Sequence, residues 1–493
     1  MNRQGLRFRP FVWVALAVGM VSCATPERFV REASRSREAA AERWRSEATS
    51  ERSAAARYDG ALSLARAVAL ALESNAELRL ARQELEAARG RVVESYAAAL
   101  PQIVATGGYT RLDEVPRLNV GPQALSLGFE DNYSVQVAVR QPLFQGDAIP
   151  SALRVARLYA LQSEAKVRAA EQGILFKAMQ AYYEAKLAEV LTRVREEAVR
   201  LAEALLEDVR RKQAAGVAME YDVLRAEVEV ANARAAWIQQ RNAQDERVAT
   251  LLQTIGLSQL SRPTLSDDFT WQPEPAEMEA LMSEALRRRP ELYIAEYALR
   301  MQREALRIAQ SAYWPEIHAF FAQKWANPDP HNSTRDAWGD AWSAGLNLTW
   351  PLFDGLARRG RVLQEKARLE QAQLSLDDLQ ERIALELRQA VHQLRNAEEL
   401  VRSQQMNLQR AEKGLQLVQA GYRSGVRTEL DVLDAQTALV QSRAIYFQAL
   451  HAHTLARLNL QRAVGTLAPP PARPEAPVKP TEPASTLSRE DVP

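Results

Sequence analysis

Residues 141–146 read QPLFQG, and residues 350–355 read WPLFDG, 209 positions further along the chain. The same offset relates residues 216–224, GVAMEYDVL, to residues 425–433, GVRTELDVL. Separated matches at one offset indicate a duplicated structural unit. The chain is therefore predicted to contain two internal repeats with the same order of elements.

Each repeat is predicted to run from a helix through a β-hairpin to a long helix and a shorter returning helix. A proline ends the first helix and a glycine turn joins the last two. A third match at the same offset, TIG at 254–256 and AVG at 463–465, closes each repeat. The predicted bounds of repeat 1 (58–256) are a helix over 76–99, a β-hairpin over 102–141, a long helix over 150–213 and a helix over 219–255. Those of repeat 2 (276–466) are a helix over 290–313, a β-hairpin over 316–350, a long helix over 358–421 and a helix over 428–463.

The long helices predict a rod rather than a globular core. At 1.5 Å per residue, a helix of about 64 residues spans roughly 96 Å. The two shorter helices of each repeat together match that length, so they can stack end to end beside it. Apolar residues on the second long helix follow the alternating steps of four and three that coiled coils use: Ile383, Leu387, Ala390, Leu394, Ala397 and Val401.

The strands of both hairpins alternate apolar and polar side chains. Residues 133–140 read YSVQVAVR, and residues 342–350 read WSAGLNLTW. Such alternation over about ten residues is typical of a transmembrane β-strand, although a soluble sheet with one buried face is the alternative. Five of the nine tryptophans lie within 314–350, as expected of the aromatic girdles at membrane interfaces.

Four strands per chain are too few to close a barrel, because the smallest known barrels have about eight. Open edges in lipid would leave backbone groups without hydrogen bonds. If these strands enter a membrane, several chains must share one barrel, and three chains would supply twelve strands.

Composition argues against several classes of function. Lys+Arg number 63 and Asp+Glu 62, and this balance argues against nucleic-acid binding. A mean hydropathy of −0.33 argues against a bundle of membrane-spanning helices. The single cysteine excludes a disulfide framework, and no phosphate-binding loop, H-E-x-x-H motif or nucleophilic triad stands out. We therefore expect no enzyme, no cofactor and no metal site.

Residues 1–22 are predicted to be a secretory signal peptide. Basic residues precede an apolar run over 11–21, which is shorter than the roughly 20 residues that a spanning helix needs. The small residues before Cys23 resemble a bacterial lipoprotein box, which implies cleavage there and lipidation of Cys23. Ala24, in place of the retention aspartate of that class, favours the outer membrane. An ordinary signal peptide with an incidental cysteine is the alternative.

Three segments lie outside the repeats. Residues 23–57 are charged and alanine-rich, and are predicted to be a lipid-anchored tether, helical or extended. Residues 257–275 contain three prolines and are predicted to be a linker. Residues 467–493 are rich in proline and are predicted to be a disordered tail.

The chain over about 60–466 resembles the TolC family of outer-membrane efflux ducts. Its most specific stretch, residues 421–435, reads GYRSGVRTELDVLDA and resembles the family's second periplasmic tip. Residues 216–226 resemble the first tip, and the doubled PLF and the opening at 62–67 fit the family too. With Cys23, the lipoprotein branch, which is OprM-like, is the nearer one.

The resemblance implies the fold class and the setting. The chain would be mainly α with a small β part, in a homotrimer with a twelve-stranded transmembrane β-barrel. A long coiled-coil barrel of helices would continue it into the periplasm of a Gram-negative bacterium. The tip would meet a periplasmic adaptor protein on an inner-membrane pump.

The resemblance also assigns roles to residues at the tip. Tyr422 and Asp222 would form a hydrogen bond between coils that keeps the tip shut. The alternative is that Tyr422 is a packing residue and Asp222 an ordinary residue of a first helical turn. Arg427 would act similarly, although Tyr221 stands where a small hydroxyl residue is expected. Gly216 and Gly425 would supply turns with positive φ.

Asp431 and Asp434 would project into the entrance as rings. Three-fold symmetry turns one aspartate into three carboxylates around an axis, and such rings favour cations. The two residues lie on one helix face. The alternative is that both are solvated residues near a helix N-terminus, which favours negative charge.

The predicted function is passive export of small molecules, such as drugs and toxic compounds, from an inner-membrane pump. The alternative is a duct for secreted proteins or peptides in a type I secretion system. A third possibility is a periplasmic coiled coil held at the membrane only by lipid, which the alternating strands argue against.

Overall fold

The computed structural model describes residues 26–49, 58–115, 117–120, 123–126, 128–274 and 276–470. The predicted signal peptide, Cys23 and all but the first residues of the predicted tail lie outside these ranges. The helices are α1 (Pro26–Thr49), α2 (Leu64–Ser74), α3 (Ala76–Ala97), α4 (Ala148–Ala214), α5 (Glu220–Ile255), α6 (Met278–Arg288), α7 (Pro290–Ser311), α8 (Ala357–Arg423) and α9 (Glu429–Val464). The strands are β1 (Ala61–Leu62), β2 (Gln102–Arg111), β3 (Arg117–Val120), β4 (Gln123–Ser126), β5 (Asp131–Gln145), β6 (Thr264–Leu265), β7 (Glu316–Asn327) and β8 (Gly339–Thr349).

Helices make up most of the described chain, and the predicted mainly α fold with a small β part is confirmed. The two long helices, α4 and α8, have 67 residues each. All six residues of the predicted seam on α8 are buried, so it is a packed helix face. None of the helices in the described ranges combines the length and the apolar character that crossing a membrane requires.

The helices form a layered rod around α4 and α8. Near the sheet, α3 lies along α4, and α7 packs between α4 and α8. Toward the other end, α5 lies along α4, and α9 packs against both long helices. The shorter helices of each repeat thus contact successive parts of one long helix. Two helices placed end to end cover the long apolar seam that one short helix cannot.

The segment predicted as a linker is attached firmly to the rod. Its strand β6 pairs in parallel with β1, and Leu265 is buried. The Tyr182 hydroxyl of α4 donates to the Leu62 carbonyl at 2.9 Å, and Lys186 Nζ donates to the Leu265 carbonyl at 2.9 Å. The short helices α2 and α6 also differ from the predicted elements, since each precedes the first helix that was predicted in its repeat.

The main sheet is antiparallel, with strand order β2-β5-β7-β8. Val137 of β5 lies opposite Gln323 of β7, which lies opposite Trp342 of β8. The register therefore places the alternating apolar residues of β5 and of β8 on one face. The opposite face carries polar residues of the same strands: Ser134, Gln136, Arg140, Ser343 and Asn347.

Among the residues that the structure describes, each outer strand of this sheet has a neighbour on one side only. In the single chain, β2 pairs with β5 and β8 pairs with β7, which leaves one hydrogen-bonding edge of each open. Ile103 of β2 is 71% exposed and Leu346 of β8 is 70% exposed. Unpaired edges next to exposed apolar side chains are a template for pairing with another chain.

Candidate functional site

Four helix ends meet at the end of the rod remote from the sheet, and we call this region the tip. It comprises the last turns of α4 and α8, the first turns of α5 and α9, and the two turns that join them. Leu205 and Val209 of α4, Val223 of α5 and Val432 of α9 form one buried apolar cluster there. Because this cluster contains residues of both repeats, the tip is one packed unit.

Glycines shape both tip turns. Gly216 has φ +73° and Gly425 has φ +78°. The Val217 amide donates to the Lys212 carbonyl at 2.9 Å, and the Val426 amide donates to the Gly421 carbonyl at 2.9 Å. These bonds satisfy carbonyls at the helix ends, which requires a residue that accepts positive φ.

Asp222 and Asp431 cap the helices that follow these turns. The Met219 amide donates to Asp222 Oδ2 at 2.9 Å. In α9, the Thr428 amide donates to Asp431 Oδ2 at 2.8 Å, and the Asp431 amide donates to Thr428 Oγ1 at 3.3 Å. The bond from the Thr428 amide, a second bond from the Thr428 hydroxyl to the same Oδ2 at 2.8 Å, and the nearby Arg427 hold the pKa of Asp431 below its usual value. Within one chain, both carboxylates therefore stabilise a helix N-terminus.

Tyr422 contacts α4 through the face of its ring. Lys212 Nζ lies 3.3 Å from the ring centroid and 3.3 Å from Asp208 Oδ2, one turn earlier on α4. Partial burial raises the pKa of Tyr422 despite the ammonium nearby. Lys212 was not among the predicted site residues, because a basic residue in the last turn of a helix is ordinary.

The predicted lock residues do not all meet within one chain. Among the described residues, no hydrogen bond joins Tyr422 to Asp222. Arg427 Nη1 lies 3.7 Å from Asp431 Oδ1, on its own side of the tip. Tyr221 is largely exposed. The lock formed by Tyr422, Asp222 and Arg427 remains a prediction.

Glu429 is a charged tip residue that sequence reasoning missed. Within the described part of the chain, its Oε1 is buried without a hydrogen-bond partner. Burial, together with the charge of Asp222, raises the pKa of Glu429. Relative to the unfolded chain, the folded tip therefore favours the protonated form of Glu429. The folding stability that this form contributes is lost as the pH rises through the raised pKa. The sequence offers no signal for this, because an acidic residue in the first turn of a helix is common.

Several apolar side chains are exposed on the outer surface of the tip. Val217, Met219 and Val426 are each more than 70% exposed, and Tyr221 lies beside them in sequence. Asp434 is exposed and Asp431 is half-buried. An apolar patch beside charged groups is typical of a protein-docking surface.

The fold is that of outer-membrane channel proteins. The structure aligns with the crystal structure of the Campylobacter jejuni CmeC outer membrane channel at a TM-score of 0.71 and 16% identity. The match covers 82% of this chain and 85% of that one. A likeness at this identity establishes the fold alone.

The chain belongs to the outer membrane efflux protein family, whose model matches residues 67–257 and 281–466. It is 25% identical over 405 residues to outer membrane protein TolC of Vibrio cholerae, covering 80% of this chain and 89% of that one. It is also 25% identical over 402 residues to the alkaline protease secretion protein AprF of Pseudomonas aeruginosa, covering 81% and 83%. The predicted TolC-family membership and outer-membrane location are confirmed, and the chain is an outer-membrane efflux channel.

Proposed function

We propose that three copies of this chain form the passive outer-membrane duct of a tripartite efflux system for small molecules. The observation that carries the proposal is the four-stranded sheet with two open edges and one apolar face. Pairing β8 of one copy with β2 of the next would satisfy both edges, and three copies would close twelve strands. The apolar face would then meet lipid, and the polar face would line the lumen.

The energy for export must come from a partner, because the sequence carries no nucleotide-binding motif. The exposed apolar residues of the tip turns suit docking of a periplasmic adaptor protein that links the duct to an inner-membrane pump. Opening of the tip would be a two-state equilibrium that adaptor contacts shift.

A lipid on Cys23 would hold the chain to the outer membrane. Helix α1, which follows within the predicted tether, gives the chain a 24-residue helical segment between Cys23 and repeat 1. Two or more acyl chains anchor a protein stably, since each buried CH₂ contributes about 0.8 kcal/mol.

Native mass spectrometry of the protein extracted from outer membranes in mild detergent tests this assembly. We expect three chains, each carrying acyl mass at its N-terminus. Three chains without acyl mass would support the trimeric duct and exclude the lipid anchor. A monomer that persists in several mild detergents would contradict the shared barrel.

Asp434→Asn is expected to reduce the cation preference of the duct about twofold or more, because it removes three carboxylates from the entrance. The reversal potential of the purified channel in planar bilayers under a salt gradient measures this preference. Asp434 is the cleaner position, since Asp431 also caps α9. Asp245→Asn, far along α5 from the tip, is the matched control. Unchanged selectivity in Asp434→Asn would remove this residue from the pore.

A second candidate is a duct for secreted proteins, which the similarity to the secretion protein AprF favours. Expression in a strain that lacks its own efflux channel separates the two candidates. Restored tolerance of small toxic compounds supports the efflux duct, and restored secretion of a protease without such tolerance supports the second candidate.

A further inference from the structure

Side-chain contacts with a charged partner join the two repeats at several points along α4, and three of them mark its course from the sheet to the tip. Near the sheet, Arg154 Nε of α4 donates to Glu304 of α7 at 2.8 Å. Between the sheet and the tip, Glu197 of α4 accepts from Arg443 of α9. At the tip, Lys212 of α4 lies over the ring of Tyr422 of α8. The first two are ion pairs, whereas the third joins a cation to an aromatic face.

The contact at the tip is held in place from both sides. Asp208 Oδ2, one turn before Lys212, lies 3.3 Å from its ammonium. Tyr422 packs against the buried cluster of Leu205, Val209, Val223 and Val432, so its ring is fixed. An ammonium 3.3 Å from a ring centroid is well inside the range of a cation–π interaction.

The other groups that could hold Tyr422 are occupied elsewhere in the chain. Asp222 accepts from the Met219 amide and caps α5. Arg427 lies close to Asp431 of its own repeat. Among the described residues of the tip, Asp208 and Lys212 of repeat 1 both interact with Tyr422, and Lys212 is the one that lies over the aromatic ring.

We propose that Lys212 is a gating residue that holds the closed tip together. Its ammonium attracts the face of Tyr422 and draws the end of α4 to the end of α8, so that the two coils separate only when the contact breaks. The interaction needs the cation and the ring, but not the tyrosine hydroxyl. This inference rests on the proposed function, because it assumes that the tip opens and closes.

Single-channel recording of the full-length protein in planar bilayers tests the proposal. Lys212→Met and Tyr422→Leu are each expected to raise the open fraction roughly threefold, since each removes one partner of the contact. Lys212→Arg and Tyr422→Phe retain the cation and the ring, and are expected to remain within twofold of the unmodified protein. Lys177→Met is the matched control, because Lys177 pairs with Glu77 of its own repeat at 2.8 Å, far from the tip.

The double variant Lys212→Met/Tyr422→Leu separates a direct contact from two independent effects. If the residues act through each other, the double variant opens no more than either single variant. Native mass spectrometry of each variant confirms that the assembly is intact, so that a failure to fold is not read as gating. If one variant does not assemble, Lys212→Gln and Tyr422→Ile replace it.

Two results would overturn the proposal while leaving the duct in place. An open fraction in Lys212→Met equal to that of the unmodified protein would show that the cation does not hold the tip. An increase in Tyr422→Phe as large as in Tyr422→Leu would assign closure to the hydroxyl, through Asp208 or through the predicted lock with Asp222, and not to the ring. Absence of conductance in every variant and in the unmodified protein, with no assembled trimer, would instead contradict the proposed function.

Discussion

Leu346→Arg in β8 is expected to abolish the assembled channel, whereas Asn347→Arg is expected to preserve it. Leu346 lies on the apolar face of the sheet, opposite Ala319, and its neighbour Asn347 points to the polar face. An arginine on the lipid side of a barrel costs about 2 kcal/mol or more per chain, depending on depth. Each of the three copies in the trimer carries that cost, so we expect the barrel not to insert into the membrane. On the lumen side the same side chain remains hydrated.

The measurement is the amount of trimer in isolated outer membranes, followed as a slow band on gels of unheated samples that is lost on heating. Asn347→Arg is a matched control, because it places the same residue one position away on the same open-edged strand. A normal amount of trimer in Leu346→Arg would show that this face does not meet lipid. Loss of trimer only in Asn347→Arg would show that the two faces are assigned the wrong way round.

The contrast between these two residues shows what the sequence can reveal about the sheet. Alternation at a period of two identifies the apolar face of each strand separately. It does not give the register between strands, and only the pairing of Val137 with Gln323 and of Gln323 with Trp342 shows that the faces coincide. The hairpin formed by β3 and β4 was not predicted, because strands of four residues are too short to show a period.

Local sequence patterns likewise predict some features of the tip, whereas others depend on contacts between residues far apart in the sequence. The glycine turns and the Thr428-x-x-Asp431 capping box follow from neighbouring residues, so the sequence contains them. The contact of Lys212 with Tyr422 joins residues of different repeats, and no local pattern indicates it. The repeat offset predicts that the two tip turns are equivalent, but it does not show which side chains cross between them.

Glycines at the other end of α5 and α9 differ from those of the tip turns in their surroundings. Gly256 and Gly465, which close the two repeats, have φ +72° and +78°. A Cβ at Gly256 would clash with Ser74 Oγ and would lie 2.6 Å from Ser74 Cβ. A Cβ at Gly465 would lie 3.2 Å from the backbone of Arg288 and Arg289. At Gly216 and Gly425, a Cβ would meet open space.

Gly256→Ala is therefore expected to destabilise the rod much more than Gly216→Ala. The conformational cost of an alanine at positive φ is about 1 kcal/mol, and Gly216→Ala bears only that cost. Gly256→Ala adds a steric conflict with α2, which brings the expected loss to about 3 kcal/mol. Thermal unfolding of the detergent-solubilised protein, followed by circular dichroism at 222 nm, measures the difference.

Ser74→Gly isolates the steric part of that loss. Ser74 Oγ donates to the Ile255 carbonyl at 2.8 Å, so Ser74→Gly alone lowers the stability and serves as the reference. In that background, Gly256→Ala is expected to cost no more than Gly216→Ala does in the unmodified chain, because only the positive φ remains unfavourable. An equal loss of stability with and without the Ser74 side chain would show that α2 shifts to make room for the added methyl group. In that case, the close approach of α2 to the end of α5 is not the reason why the closing turn of the repeat needs a glycine.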